Sequence, residues 1–155
     1  MIQLVRVDDR LLHGQVAYSW KAELGYEAIV IVSDSAYEDD VRKMAIKMAK
    51  PEGVKLAIRD SNSAIELLNN DLLKDLKVFV VVDNIHTAKK ILGNISEKPK
   101  LNIGGIQKEE GKQSITKYAF IDNQERQILQ ELSEKNFDIE FKLVPSDRPK
   151  YFKDL

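Results

Sequence analysis

The chain has 155 residues, of which 43% are hydrophobic and 32% are charged, and its formal net charge is −1. This composition suits one globular domain over residues 1–155 with an apolar core, and the balanced charge disfavours a large nucleic-acid-binding surface. The sequence has no cysteine, which excludes disulfides and thiolate chemistry. It also has no apolar stretch as long as the roughly 20 residues that a membrane-spanning helix needs, so we expect a soluble, cytoplasmic protein.

Short apolar runs alternate with amphipathic segments along the chain. In chain order we predict a strand over 2–7, a helix over 12–24, a strand over 28–32, a helix over 35–49, a strand over 54–58, a helix over 63–68, a strand over 77–82, a helix over 88–92, strands over 99–103 and 118–121, a helix over 122–132 and an edge strand over 137–144. Three pairs have the spacing of capping boxes: Ser35 with Glu38, Ser63 with Glu66 and Asp122 with Glu125. Met44 and Met48 follow helical spacing and are predicted to lie in the core.

This alternation predicts an α/β fold with an open, twisted, mostly parallel sheet, helices on both faces and an antiparallel edge strand. Ligands bind such sheets beyond the C-terminal ends of the strands, near the point where the strand order reverses. The loop over 8–15 lies at that edge and holds His13, one of only two histidines. We therefore take this loop as the candidate functional site, with His86 as a candidate lining residue of the same cleft.

The chemistry of this loop centres on His13. Residues 6–16 are Arg-Val-Asp-Asp-Arg-Leu-Leu-His-Gly-Gln-Val. A histidine side chain is largely neutral and nucleophilic near pH 7, so one ring nitrogen is able to attack phosphorus while the other keeps its proton. A carboxylate or carbonyl that accepts this N–H would fix the tautomer, and Asp8, Asp9 or a backbone carbonyl are the candidates for that orienting role.

Phosphoryl transfer depends on positioning and charge stabilisation, and several neighbours of His13 suit that task. Arg10 lies three residues before His13 and is placed to contact phosphate oxygens. Gly14 and Gln15 open the helix, so their free N–H groups are predicted to face the anion, together with the charge of Arg6. The sequence has neither dinucleotide-binding nor P-loop glycine motifs, and no metal-ligand spacing, so it gives no support for a nucleotide site or a metal site.

Residues 6–16 resemble the active-site signature of the EIIB subunit in the mannose/fructose/sorbose class of the bacterial phosphoenolpyruvate-dependent sugar phosphotransferase system. The resemblance covers essentially the whole chain. It continues through Val32-Ser33-Asp34, through 42–44 and 48–55, through Asn102-Ile103-Gly104-Gly105 and through Val144-Pro145-Ser146-Asp147.

The resemblance implies a phosphohistidine carrier. Such a subunit accepts a phosphoryl group from a phosphohistidine of its EIIA partner, holds it on Nδ1 of the histidine that matches His13, and passes it to a sugar brought in through the membrane subunits EIIC and EIID. Arg10 matches the arginine that supports the phosphoryl group, and the resemblance implies a reaction that needs no metal and no soluble cofactor. The resemblance further implies an open, mostly parallel α/β sheet, peripheral association with the membrane transporter and, in some relatives, a homodimer.

Two other classes of function remain open at this point. A receiver-like signalling domain also has paired acids after its first strand, as in Asp8 and Asp9, and a phosphorylated aspartate after its third strand, where Asp60 falls. A non-catalytic anion-binding module would bind a small anion in the same cleft without using His13.

Overall fold

A seven-stranded sheet forms the centre of the fold in the computed structural model, which describes residues 1–155. In chain order the strands are β1 (Ile2–Asp8), β2 (Ala28–Val32), β3 (Lys55–Arg59), β4 (Val78–Val82), β5 (Leu101–Gly105), β6 (Gln113–Thr116), β7 (Ala119–Ile121), β8 (Ile139–Phe141) and β9 (Lys150–Tyr151). The sheet has the order β3-β2-β4-β1-β5-β8-β9, and β6 pairs with β7 in a separate antiparallel hairpin. All ladders of the large sheet are parallel except β8 with β9. The predicted α/β class is therefore confirmed.

Six α-helices cover the two faces of the sheet. They are α1 (Gly14–Leu24), α2 (Asp34–Tyr37), α3 (Asp40–Ala49), α4 (Ser61–Leu68), α5 (Ile85–Leu92) and α6 (Asn123–Glu134). Buried apolar residues of α1, α2 and α3 belong to a core cluster of 14 residues, and those of α4, α5 and α6 belong to a separate cluster of 26. Every residue of β2 and β4 is buried, as expected for strands covered on both faces. None of the helices has both the length and the apolar character of a membrane-spanning segment.

Helix α3 differs from its prediction in both its start and its buried face. Asp39 caps it by accepting from the N–H of Arg42, so the capping box predicted at Ser35 is wrong. Ile46 is buried, whereas Met44 is 65% and Met48 is 82% exposed, so their predicted core positions are also wrong. Each methionine lies two residues from Ile46, about 200° around the helix at ~100° per residue, and burial of Ile46 therefore turns both outward.

The other two predicted capping boxes have different outcomes. Asp122 and Glu125 form the predicted reciprocal pair at the start of α6. Helix α4 begins at Ser61, because Asp60 accepts a hydrogen bond from the N–H of Ser63 and caps the helix. The cap therefore lies three residues before Ser63, the predicted capping residue. An aspartate at the preceding strand end competes successfully with a serine within the first turn.

The C-terminal region supplies one more strand than predicted. The segment predicted as an edge strand over 137–144 contains β8, which is parallel to β5 and lies inside the sheet. The antiparallel edge strand is β9, which follows in the polar tail. Phe152 is buried directly after β9 and holds this tail against the core.

The topology places β1 where the strand order reverses. The chain passes from β4, on one side of β1, to β5 on the other side. The C-terminal end of β1 is thus flanked by parallel strands on both sides, which is the position expected for a ligand site in such a sheet. Asp8 is the last residue of β1, and the loop that follows leads to His13.

Candidate active site

His13 and Asp8 form the centre of the site. His13 directly precedes α1, and its Nε2 lies 3.1 Å from Oδ2 of Asp8. An ionised carboxylate only accepts hydrogen bonds, so this contact requires the proton on Nε2 and leaves the lone pair of Nδ1 free. The His13 side chain is 18% exposed, so the ring is held by the protein and still reachable from solvent.

Asp8 is buried, and three donors converge on its carboxylate. Oδ2 accepts from Nη2 of Arg6 at 3.0 Å as well as from His13, and Oδ1 accepts from the backbone N–H of Arg10 at 3.0 Å. Burial by itself raises the pKa of Asp8, but the hydrogen bond from His13, the charge of Arg6 and the Arg10 N–H outweigh it and lower the pKa below its usual value. Asp8 is therefore an ionised acceptor at neutral pH.

Arg6 lies behind Asp8 and is only 1% exposed. Its Nη1 donates to Oδ1 of Asn102 at 2.8 Å, and its Cζ lies 5.4 Å from the centre of the Trp20 ring. A Cβ atom on Gly104 would overlap the guanidinium, so the guanidinium occupies the space that a side chain at this position would fill. Arg6 does not line the open cleft, and the structure thus gives it contact with Asp8 in place of the phosphate contact predicted from the sequence.

Asp9 anchors the loop and does not touch His13. Its Oδ2 accepts from the N–H of Gln107 at 2.7 Å, its N–H donates to the carbonyl of Gly105 at 2.9 Å, and its carbonyl accepts from Nη2 of Arg42 at 3.2 Å. Burial and the neighbouring charge of Asp8 raise the pKa of Asp9, although the Gln107 N–H opposes this shift. Of the two aspartates proposed to orient the histidine, Asp8 has that contact.

The middle of the loop is held in a strained conformation. Leu11 has φ of 58°, in the left-handed region that non-glycine residues rarely adopt, and its N–H donates to the carbonyl of Asp8 at 2.9 Å. Leu11 and Leu12 are both buried in the core cluster beneath α1. Burial of these two side chains fixes the turn that brings His13 back to Asp8.

Arg10, Gly14 and Gln15 are exposed around the histidine. The Arg10 side chain forms no ion pair within the chain and lines the cleft beside His13. The first turn of α1 has neither a side-chain cap nor an acidic residue, so its leading N–H groups face outward unpaired. A free arginine and a helix N-terminus together favour an anion next to Nδ1.

The cleft itself has a volume of about 340 Å³. Its lining combines the site loop with residues of the 105–120 segment and of the chain after β8: Asp8, Asp9, Arg10, His13, Gly105, Ile106, Gln107, Lys108, Lys117, Tyr118, Phe120 and Leu143. The second wall, which contains two lysines and two aromatic rings, was not predicted from the sequence. The only local signal was the polar stretch over 107–114. His86 lies in a different depression, between α5 and α6, and does not line this cleft.

Comparisons with known proteins agree with one another. Residues 2–155 match the family described as the PTS system sorbose subfamily IIB component. The sorbose-specific EIIB component of Lacticaseibacillus casei is 37% identical over 147 residues, which cover 95% of this chain and 90% of that protein. The sorbose-specific EIIB component of Klebsiella pneumoniae is 32% identical, with 94% and 89% covered. The crystal structure of the IIBSor domain of the sorbose permease from Klebsiella pneumoniae superposes with a TM-score of 0.93 at 30% identity, covering 99% of this chain and 94% of that chain.

The lowered pKa of Asp8 predicts a specific pH dependence of stability. A carboxyl whose pKa is lower in the folded state stabilises that state fully above its unfolded pKa of about 4, and this contribution is lost as the pH falls through the folded value. We expect Asp8→Asn, which removes the carboxylate that forms an ion pair with the buried Arg6, to lower the free energy of unfolding by about 3–5 kcal/mol at pH 7. Urea unfolding between pH 7 and pH 2.5 should show this difference shrinking below pH 4. A difference that stays constant over that range would contradict the assignment.

Gly104 provides a test of how closely Arg6 is enclosed. We expect Gly104→Ala to lower the free energy of unfolding by about 1–3 kcal/mol, because the new methyl group displaces a buried guanidinium. Gly105→Ala is the matched control, since a Cβ there would lie 3.4 Å from Oδ1 of Asp8. Equal unfolding free energies for the two variants would mean that the guanidinium can move aside freely.

Proposed function

Because the chain belongs to the sorbose-subfamily IIB components of the sugar phosphotransferase system, we propose that it carries a phosphoryl group on His13. The group is accepted from a phosphohistidine of an EIIA partner and passed to a sugar that enters through the membrane subunits EIIC and EIID. The protein works in the cytoplasm, in peripheral contact with that transporter. The observation that carries the proposal is the hydrogen bond between Nε2 of His13 and Asp8, which leaves Nδ1 as the nucleophile.

The first transfer step follows from that geometry. The lone pair of Nδ1 forms a bond to phosphorus, and the bond between phosphorus and the donor histidine breaks, with its electron pair returning to the donor nitrogen. His13 then carries the phosphoryl group on Nδ1 and its original proton on Nε2, so the ring becomes positively charged. The ionised Asp8 carboxylate, 3.1 Å from Nε2, stabilises this charge as the aspartate of a serine-protease triad stabilises its imidazolium.

Charge on the transferring group is balanced from the opposite side of the ring. The Arg10 side chain and the first N–H groups of α1 are the exposed donors beside His13, and Lys108 and Lys117 add positive charge along the cleft. In the transition state the negative charge is spread over the equatorial oxygens of the phosphoryl group, and donors already in position stabilise it without reorganising. In the second step the oxygen of a sugar hydroxyl forms a bond to phosphorus, and the bond to Nδ1 breaks with its electron pair returning to Nδ1. The hydroxyl proton is released to solvent, and His13 is again neutral with its proton on Nε2.

The receiver-like alternative is disfavoured by the strand order. It requires Asp60, after β3, to lie close to Asp8, after β1. In this sheet β2 and β4 lie between those strands, so β1 and β3 are three strand spacings apart, or about 14 Å. Asp60 is also engaged in capping α4.

His13→Ala should abolish covalent phosphorylation, since it removes the nucleophile. The measurement is transfer of labelled phosphate from phosphoenolpyruvate through purified enzyme I, HPr and a mannose-class EIIA. Wild type should acquire one acid-labile, base-stable phosphoryl group, and His86→Ala, which alters the other histidine, should acquire the same group. Adding membranes that contain EIIC and EIID tests the second step, with sorbose as the first sugar because two of the relatives are named for it.

Each other outcome of that experiment points to a different function. Covalent label on His13→Ala would overturn the assignment of the nucleophile. Label that is sensitive to hydroxylamine would indicate an aspartyl phosphate and the receiver-like alternative. Phosphate bound without covalent attachment, equally in wild type and in His13→Ala, would indicate an anion-binding module.

Arg10→Ala should slow both acceptance and donation of the phosphoryl group by roughly 10²–10³-fold, the loss typical of removing one preorganised donor to transition-state charge. Its free energy of unfolding should stay within about 0.5 kcal/mol of wild type, because the exposed side chain has no partner within the chain. Arg126→Ala, on α6 at the other face of the sheet, is the control for a general loss of positive charge. Rapid-quench rates equal to those of wild type in Arg10→Ala would remove Arg10 from the mechanism.

A further inference from the structure

The buried polar contacts that begin at His13 continue beyond Arg6. Nη1 of Arg6 donates to Oδ1 of Asn102 at 2.8 Å, and Nδ2 of Asn102 donates to Oε2 of Glu140 at 2.9 Å. Asn102 is fully buried and Glu140 is 3% exposed. A continuous series of hydrogen bonds therefore joins the imidazole of His13 to a carboxylate on β8, two strands away from β1.

Sheet register produces this series. Arg6 pairs with Asn102 across β1 and β5, and Asn102 pairs with Glu140 across β5 and β8. Side chains at paired positions of neighbouring strands point to the same face. The three polar groups thus lie in one row across the sheet, on the face that carries Trp20 and α1.

The orientation of the Asn102 amide is fixed by its neighbours. Its oxygen faces a guanidinium, which only donates hydrogen bonds. Its nitrogen faces the Glu140 carboxylate and the carbonyl of Lys142, at 2.9 and 3.1 Å, and both of these only accept. Reversing the amide would oppose like groups on both sides, so Asn102 transmits orientation from Glu140 to Arg6.

Arg6 pairs directly with the Asp8 carboxylate and is linked to the Glu140 carboxylate through Asn102. Burial lowers the pKa of Arg6, and the charges of Asp8, Glu140 and Asp147 oppose that shift. Glu140 in turn lies 3.4 Å from Nζ of the partly exposed Lys100. Asp8 is therefore not required to neutralise the buried Arg6 alone, because Glu140 and Asp147 also stabilise its positive charge.

We propose that Glu140 and Asn102 are positioning residues for His13. By holding Arg6 from its far side, they keep the guanidinium in register with Asp8 and leave part of the Asp8 charge free to hold the proton on Nε2 of His13. Without them Arg6 turns fully to Asp8, the hydrogen bond from His13 weakens, and the imidazole populates both neutral tautomers. The effect on phosphotransfer rests on the proposed function, whereas the effect on the tautomer depends only on the geometry.

The test is the tautomer of His13 in Glu140→Gln, read from the ¹⁵N chemical shifts of the two ring nitrogens in labelled protein. Wild type should show the Nε2–H tautomer, and Glu140→Gln should show a mixture. Glu125→Gln is the matched control, because Glu125 is an equally buried carboxylate that caps α6 and has no hydrogen bond to the His13 series. It should match wild type.

Phosphotransfer rates provide the second readout. We expect Glu140→Gln to slow transfer from EIIA by about tenfold, short of the roughly 10⁴-fold loss that a wrong tautomer causes in a serine-protease triad. A folded Glu140→Gln protein with the wild-type tautomer would overturn the proposal whatever its rate. If Glu140→Gln alters the tautomer but the wild-type protein is itself never phosphorylated, the positioning role would be supported and the carrier function would be contradicted.

A measurement on wild type covers the case in which Glu140→Gln does not fold. Protonation of His13 on lowering the pH should shift the side-chain amide signals of Asn102 with the same midpoint as the imidazole signals, since Asp8 and Arg6 link the two. The side-chain amide of Asn94, which donates to the carbonyl of Lys90 on the other face of the sheet, should not follow that midpoint. Asn102 amide signals that do not shift when His13 is protonated would overturn the proposal.

Discussion

A guanidinium that is removed from water must be paired, and this requirement at Arg6 organises the site. Taking such an ion out of water costs several kcal/mol, and the cost is offset only where hydrogen-bonding partners surround it. Asp8 and Asn102 provide those partners for the two terminal nitrogens, whereas Nε is buried without a partner. The Trp20 ring covers one side of the guanidinium, and the missing side chain of Gly104 leaves it room. The position of Asp8, and through it that of His13, is therefore a consequence of burying Arg6.

Two arginines in one short segment have opposite tasks because they differ in exposure. Arg6 is buried and balances the Asp8 carboxylate from behind, so that Asp8 stays ionised next to the imidazole. Arg10 is exposed, has no partner within the chain and lines the open cleft together with the unpaired N–H groups of α1. Positive charge thus lies on both sides of His13, held rigidly on the inner side and left available to an incoming anion on the outer side.

The sequence predicted those parts of the fold that depend on local pattern. Continuous apolar runs located β2 and β4, and the loop with His13 was found from its position after the first strand. Asp8 and Asp9 were both candidates to orient His13. Side chains alternate between the two faces of a strand, so Asp8 lies on the same face as Arg6 and Asp9 does not, and this alternation favours Asp8. The buried face of α3 was not predictable, because apolar residues occur on both of its sides and burial of Ile46 decides between them. The cleft wall with Lys108 and Tyr118 depends on contacts between distant segments, and no local pattern encodes those contacts.

In the function proposed for this chain, it meets a donor and then an acceptor, and neither partner is present at both steps to prepare the nucleophile. The orientation of His13 must therefore be built into the chain itself, and the topology accomplishes this at the end of β1. Parallel strands on both sides hold that end, Asp9 ties the following turn to Gly105 and Gln107, and the burial of Leu11 maintains a backbone conformation that costs about 1–3 kcal/mol. The rigid side of the loop faces the sheet, whereas Nδ1, Arg10 and the helix N-terminus face solvent. The proposed carrier function requires this arrangement, because one prepared nitrogen would have to serve two different partners in turn.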